Sequence, residues 1–339
     1  MWPRPGVRCW TGRAPCPPEP VLAGGVTSAA AASSGCCRRR DAVGDEKHLA
    51  EAIGERQRLV AIAYRMLGTT GEAEDAVQET YTRWYRMTEP DRDRIVNPQA
   101  WLTRVLGRVC LDMLGTARAR REHYVGEWLP EPLPAGYFSS GSTAADPLDQ
   151  VTLDDSVSSA LLVVLEALTP PERVAFVLHD VFALPFDEIG RIVGRSAPAV
   201  RQLATTARRR IREARDRAVS RTEHNAVVEA FAAACHAGDL AALTRILDPA
   251  VELRSDGGGF VSAARRPVYG ADRVGRFLLG ALAKQPETEV EILETTDGAA
   301  FALRRDGAVT GIVNLNVVDG RVRDVWMMLN PEKLLQWHA

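Results

Sequence analysis

Lysine is almost missing from this chain. Among 339 residues it occurs only at Lys47, Lys284 and Lys333, and every other cation is arginine. So strong a bias fits a GC-rich genome, and it also stocks the chain with the better reader of phosphate and guanine. Net charge is small as well. At -2 no global field draws the protein to nucleic acid, so any attraction must come from local clusters. No apolar run approaches the roughly 20 residues needed to cross a bilayer, and no membrane partner is expected. Cysteine is sparse after the first forty residues. Cys9, Cys16, Cys36 and Cys37 match no zinc spacing and no histidine accompanies them, so neither a metal nor a cofactor is expected. Cys110 and Cys235 fall in helical patterns and read as small core residues. The usage suits a reducing, cytoplasmic protein.

What is present begins after a stretch without periodicity. Residues 1–45 are rich in Pro, Gly, Ala, Ser and Arg and read as a disordered tail or as a misplaced gene start. The rest, 46% hydrophobic over the whole chain, has length for two or three domains. Residues 46–121 read as a helical bundle. Leu59, Ile62, Ala63, Met66 and Leu67 mark a first helix stopped by Gly68, and Ala73, Ala76, Val77, Thr80 and Trp84 a second. Asn97 and Pro98 open a third, with Trp101, Leu102, Val105, Leu106 and Val109 on one face. Residues 122–152 form a linker whose middle, Trp128-Leu129-Pro130-Glu131-Pro132-Leu133, is biased to an extended course. Its tryptophan and leucines need a docking place, and packing on the first bundle or on another module is equally consistent with them.

Residues 153–221 contain the most informative run, Leu184 to Arg217. Val200, Leu203, Ala207 and Ile211 share one helical face, while Arg201, Thr205, Arg208 and Arg212 share another. A preceding helix ends at Gly194, Ser196 suits a cap, and Pro198 sits in the next first turn. This is a helix-turn-helix pattern, whose second helix is suited to a DNA major groove; an ordinary hairpin with a solvated arginine face is the bland alternative. Upstream, Thr169-Pro170-Pro171-Glu172 is a capping box. Residues 222–339 change character. Helices at Glu223–Ala237, Leu240–Leu247 and Gly270–Ala283 accompany five alternating runs, with Gly307 and Asp319-Gly320 as hairpin turns. The expectation is an α+β cone with a curled antiparallel sheet.

Together the segments LVAIAYRMLG, EAEDAVQETYTRWYR, NPQAWLTRVLGRVCLDML and LTPPERVAFVLHDVF, followed by the helix-turn-helix, resemble an extracytoplasmic-function sigma factor of the sigma-70 family. The first bundle looks like region 2 and residues 153–221 like region 4. The third segment looks like a SnoaL-like domain of the NTF2-type cone fold. WLPEPL, Asp256-Gly257-Gly258-Gly259 and Asn330-Pro331-Glu332-Lys333-Leu334 are similar to signatures of the sigma-J type subgroup, which carries that domain at its C-terminus. Two positions differ: Phe260 stands where lysine is frequent and Glu332 where aspartate is. The first removes the residue for any role needing a cation at that spot.

The resemblance implies a multidomain initiation factor, two all-α modules followed by an α+β cone, with core RNA polymerase and promoter DNA as partners. It assigns Asp75, Gln78, Glu79 and Arg83 to the polymerase. Trp101, Arg104, Arg108 and Asp112 fall to the minus-ten element, although the period of Trp101 also suits the core. Arg195, Ser196, Arg201, Gln202, Thr205, Arg208 and Arg209 fall to the minus-thirty-five element, some as base readers and some as phosphate clamps. The WLPEPL, DGGG and NPEKL residues are the expected regulatory contacts, with the cone acting in cis on the linker. The rival class is an enzyme or small-molecule binder in the cone, with Asp256, Asp297, Asp324 and His236 as candidate acids and bases. None forms a defensible pair with its neighbours in sequence, and Asp256 with its glycines reads more simply as a flexible turn.

Overall fold

A computed structural model describes residues 55–121, 124–138, 158–215 and 219–337. The N-terminal tail and His338 lie outside the described residues. Helix α1 spans residues 55–67 and stops at Gly68, whose φ of 85° suits glycine. Helix α2 runs Thr70–Tyr85, α3 is a short Glu89–Asp93 turn of helix, and α4 runs Pro98–Arg121. Asn97 caps α4, its Oδ1 accepting from Ala100 N at 3.0 Å.

Helix α5 (Ser159–Glu166) and α6 (Pro170–Phe176) precede the helix-turn-helix. Glu172 accepts from Thr169 N at 2.9 Å, the capping box read from the sequence. A π turn at Val177–Val181 extends α6, and no sequence pattern announced it. Helix α7 (Phe186–Val193) ends at left-handed Gly194, and α8 runs Ala197–Arg215. Gly190 lets the two approach: a Cβ there would stand 2.6 Å from the carbonyl oxygen of Arg195.

The helical modules are not separate. Leu59, Leu67 and Leu106 share one buried cluster with Leu165, Val174, Ile189 and Val200, and Leu133 of the linker joins it. Arg173 of α6 is buried and donates through Nη1 to Met66 O at 2.8 Å and to Glu166 Oε1 at 2.6 Å. Burial lowers its pKa to about 10, so it remains charged at neutral pH.

The third module opens with α9 (Arg221–Ala237) and α10 (Leu240–Ile246), followed by β1 (Leu247–Asp256), β2 (Val268–Tyr269) and α11 (Ala271–Lys284). Strands β3 (Glu289–Thr295), β4 (Gly298–Arg305), β5 (Ala308–Val318) and β6 (Arg321–Met328) complete a six-stranded sheet of order β2-β1-β6-β5-β4-β3. The sheet is mixed and not wholly antiparallel as expected, because β1 and β6 pair in parallel. Residues far apart in the chain set that pairing, and no local turn marks it. Positive φ at Asp306, Gly307, Asp319 and Gly320 makes the two expected hairpin turns. One face of the sheet packs under the helices, with Phe231, Leu243, Val274, Phe301 and Val325 in its core. The other face carries Ala302, Ile312, Trp326 and Met328, and it is covered by Leu129 of the linker, Ala160 and Val163 of α5, and Leu334. Among the described residues no helix is long and apolar enough to cross a membrane.

Candidate regulatory clasp and nucleic-acid-binding faces

The linker hexapeptide is held from both sides. On the helical side, Glu131 Oε2 accepts from Thr70 N at 2.7 Å, Glu131 Oε1 accepts from the Thr70 hydroxyl at 2.8 Å, and Glu131 N donates to Gly68 O at 2.9 Å. Tyr64 donates its hydroxyl to Glu131 O. Removal from water raises the Glu131 pKa, against the opposing pull of the Thr70 hydrogen bonds and Lys333. Trp128 lies over Gly68, where a Cβ would stand 2.7 Å from the indole.

On the cone side the centre is Asp256, at 0% exposure. Its Oδ2 accepts from Leu129 N at 2.9 Å and from Lys333 Nζ at 2.8 Å. Its Oδ1 accepts from the Tyr124 hydroxyl at 2.6 Å and from Gly258 N at 3.0 Å. Lys333, 6% exposed, also donates to Leu129 O at 2.6 Å and sits 4.1 Å from the Trp128 ring centroid. Asn330 donates to Tyr124 Oη at 2.9 Å and accepts from Glu332 N at 3.0 Å, so Pro331 and Glu332 form a turn that presents Lys333. Trp337 reaches Pro132 O through Nε1 at 3.0 Å. The two docking options for WLPEPL are thus both used: Leu129 is buried in the sheet-face cluster and Leu133 in the helical one.

One expectation is corrected here. The Asp256 segment is not a flexible turn, since its carboxylate is buried with four donors and Gly258 leaves room for Asn330 alone; a Cβ there would lie 2.5 Å from the Asn330 side chain. Gly257 is similarly crowded by Val261 O, at 2.7 Å from a built Cβ, and Gly259 faces Val125. Phe260 is 62% exposed, and the cation that meets Asp256 is Lys333. Spacing could not reveal this pair, because its members lie 77 residues apart.

The arginine face of α8 is open. Arg195, Ser196, Arg201, Gln202, Thr205 and Arg209 are exposed, whereas Arg208 is half-buried and paired with Asp180 at 2.5 Å. The Arg201 guanidinium stands 5.1 Å over Phe186. On α2, Asp75, Gln78 and Arg83 are exposed, with Glu79 pairing Arg83 at 2.8 Å. Beside them lies a groove of about 660 Å³ lined by Arg56, Val77, Gln78, Tyr81 and Tyr85.

The third set is placed differently. Trp101 is half-buried and packs edge-on against Trp84 at 5.2 Å, a core position. Arg108 donates to Arg191 O of α7 at 2.7 Å, and Gly107 meets Ile192 and Leu178. Arg104 Nε is buried with no hydrogen-bond partner among the described residues, and Asp112 is exposed. Of the α4 residues expected to meet DNA, Arg108 is thus bonded to the helix-turn-helix module. The candidate acids of the rival reading are occupied: Asp297 by Ser159 at 2.6 Å and Asp324 by Asn316 at 2.8 Å, while His236 is exposed on α9.

Comparison with known proteins agrees with this architecture. Residues 54–120 match the sigma-70 region 2 family and residues 158–211 the sigma-70 region 4 family. The chain is 39% identical to the ECF RNA polymerase sigma factor SigJ of Mycobacterium tuberculosis, over 82% of this chain and 90% of that protein. It is 38% identical to the probable ECF RNA polymerase sigma factor SigI of the same species, over 82% of this chain and 92% of that one. The crystal structure of M. tuberculosis SigJ superposes with a TM-score of 0.65 at 36% identity, covering 85% of this chain and 98% of that one. Fold and matched segments together define a transcription initiation factor and not an enzyme. The chain belongs to the ECF RNA polymerase sigma factors.

Proposed function

We propose that this sigma factor is regulated in cis by its own C-terminal cone. As a sigma factor it binds core RNA polymerase and promoter DNA. In our reading Asp75, Gln78, Glu79 and Arg83 face the polymerase in the cytoplasm, and the exposed face of α8 reads the minus-thirty-five element. The cone grips WLPEPL and so keeps regions 2 and 4 in one shared core, with the minus-ten helix against region 4. Straddling a promoter requires that core to part.

The single observation that carries this reading is the buried Asp256–Lys333 pair closed over the backbone of Leu129. A linker contact can shift a conformational equilibrium only if it differs between the two states. This one does, because all three groups are desolvated together only when the linker is seated. A ligand acting on the cone is the finer reading, supported by a cavity of about 330 Å³ between α5 and the sheet, lined by Leu161, Val164, Ile211, His224, Asn316 and Trp326 among others. Reconstitution with core polymerase and a promoter library tests the proposal. Run-off transcripts that increase when Lys333 is replaced support it, while transcription indifferent to Lys333 contradicts it.

A further inference from the structure

The turn between β3 and β4 carries a carboxylate that is spent on a different module. Asp297 Oδ1 accepts from Ser159 N at 2.6 Å, and its Oδ2 accepts the Ser159 hydroxyl. Ser159 is the first residue of α5, the helix that opens region 4, and Ser158 caps the same end by accepting from Leu161 N. A backbone N–H that the helix cannot satisfy itself is thus bound by an anion lying 138 residues on. Asn314 of β5 donates to both Ser159 Oγ, at 2.8 Å, and Asp297 Oδ2, at 2.9 Å, closing a triangle. The turn is itself fixed: Asp297 N donates to Thr295 Oγ1 at 3.1 Å, and Thr295 donates to Gly298 O at 3.0 Å. Gly298 has a φ of 111°, which favours glycine.

We infer that this triangle is a second clasp, by which the cone holds region 4 directly, with Asp297 as its positioning residue. The inference rests on the regulatory reading above. Asp256 ends β1 and Asp297 lies beside β3, and in the sheet order three strands, β6, β5 and β4, lie between these two. Both clasps lie on the sheet face that carries Trp326 and Met328, one at the end of β1 and the other at the β3–β4 turn. Beside Asp297, Ala160 and Val163 of α5 pack on the Trp326 and Met328 cluster. Each clasp adds to the cost of opening, so weakening either one shifts the balance toward the open arrangement.

The test uses the full chain. Amide exchange is followed in peptides covering 127–133 and 158–166, and run-off transcription with core polymerase is measured on a promoter selected from a library. Asp297→Ala is expected to speed exchange in 158–166 more than in 127–133, whose Leu133 carbonyl accepts from the neighbouring Thr296 N, and to raise transcripts about fivefold or more, the low end of a typical coupling between sites. Ser159→Ala, a milder change if the first variant folds poorly, is expected to act in the same direction. The double variant should add little beyond Asp297→Ala, as residues in one network do. Wild-type exchange in 158–166 of Asp297→Ala overturns the second clasp, and so does faster exchange with transcription unchanged or reduced. Lys333→Met separates the two readings. If it leaves transcription unchanged while Asp297→Ala raises it, the linker clasp fails and the region 4 clasp stands.

Discussion

Lys333 and Asp256 form an ion pair of 2.8 Å with almost no solvent contact, and the lysine ammonium also bonds the carbonyl of Leu129. A pair removed from water in this way contributes little net stability, but breaking it from one side is costly. The pair works as a lock: it is satisfied in one arrangement of linker and cone.

Lys333→Met should therefore weaken the seated linker by about 3–5 kcal/mol, since it strands a buried carboxylate. Adding Asp256→Asn should recover part of that loss, because both partners are then neutral. Chemical denaturation of the single and double variants checks this. A double variant less stable than Lys333→Met alone contradicts it.

Gly258→Ala should loosen the same site without touching a charge. Its φ of 62° disfavours a side chain, and the added Cβ would press into Asn330. Loss above about 1 kcal/mol is expected from the conformation alone. Faster amide exchange at Tyr124 and Leu129 would report the loosening, and unchanged exchange would argue against it.

Promoter reading has its own variant. Arg201→Ala removes a guanidinium already ordered over Phe186, and it should lower promoter affinity by about 1–3 kcal/mol if that arginine meets a base edge. The loss should come with relaxed sequence preference in the upstream element. A uniform loss across all sequences would assign Arg201 to a phosphate instead.

Protons bear on the closed arrangement through two carboxylates. Glu131 and Asp297 have raised pKa values, each chiefly through desolvation. Hydrogen bonds from Thr70 and the charge of Lys333 oppose the shift for Glu131, and Ser159, His224 and Arg221 oppose it for Asp297. A raised carboxylate stabilises the closed form fully below its ordinary pKa, and that contribution fades as pH climbs through the raised value. The closed population should thus be larger at acid pH than at alkaline pH, with Glu131→Gln flattening the profile. A closed fraction that grows with pH contradicts this.

Much of the fold was legible from local chemistry. Asn97, the Thr169–Glu172 box, Gly194 and the Asp319-Gly320 turn each act within a few residues, so sequence spacing reveals them. The parallel β1–β6 pairing and the π turn after α6 were not legible, because tertiary packing decides both. The site was half legible. WLPEPL stood out as an apolar hexapeptide in a linker, and DGGG and NPEKL through their resemblance to the sigma-J type signatures, but nothing local says that Lys333 reaches Asp256. Asp297 appeared only as a candidate acid. Its partner Ser159 lies 138 residues away, so no local spacing joins them.

The most direct measurement is the distance between regions 2 and 4 in the full chain, from labels at Asp93 and Asp187, both exposed. The free protein should give one short, narrow distribution, and core polymerase should lengthen it. Lys333→Met should populate the longer distance before polymerase is added. A free wild-type chain already as extended as the polymerase-bound one would contradict the account, as would a Lys333→Met distribution identical to wild type.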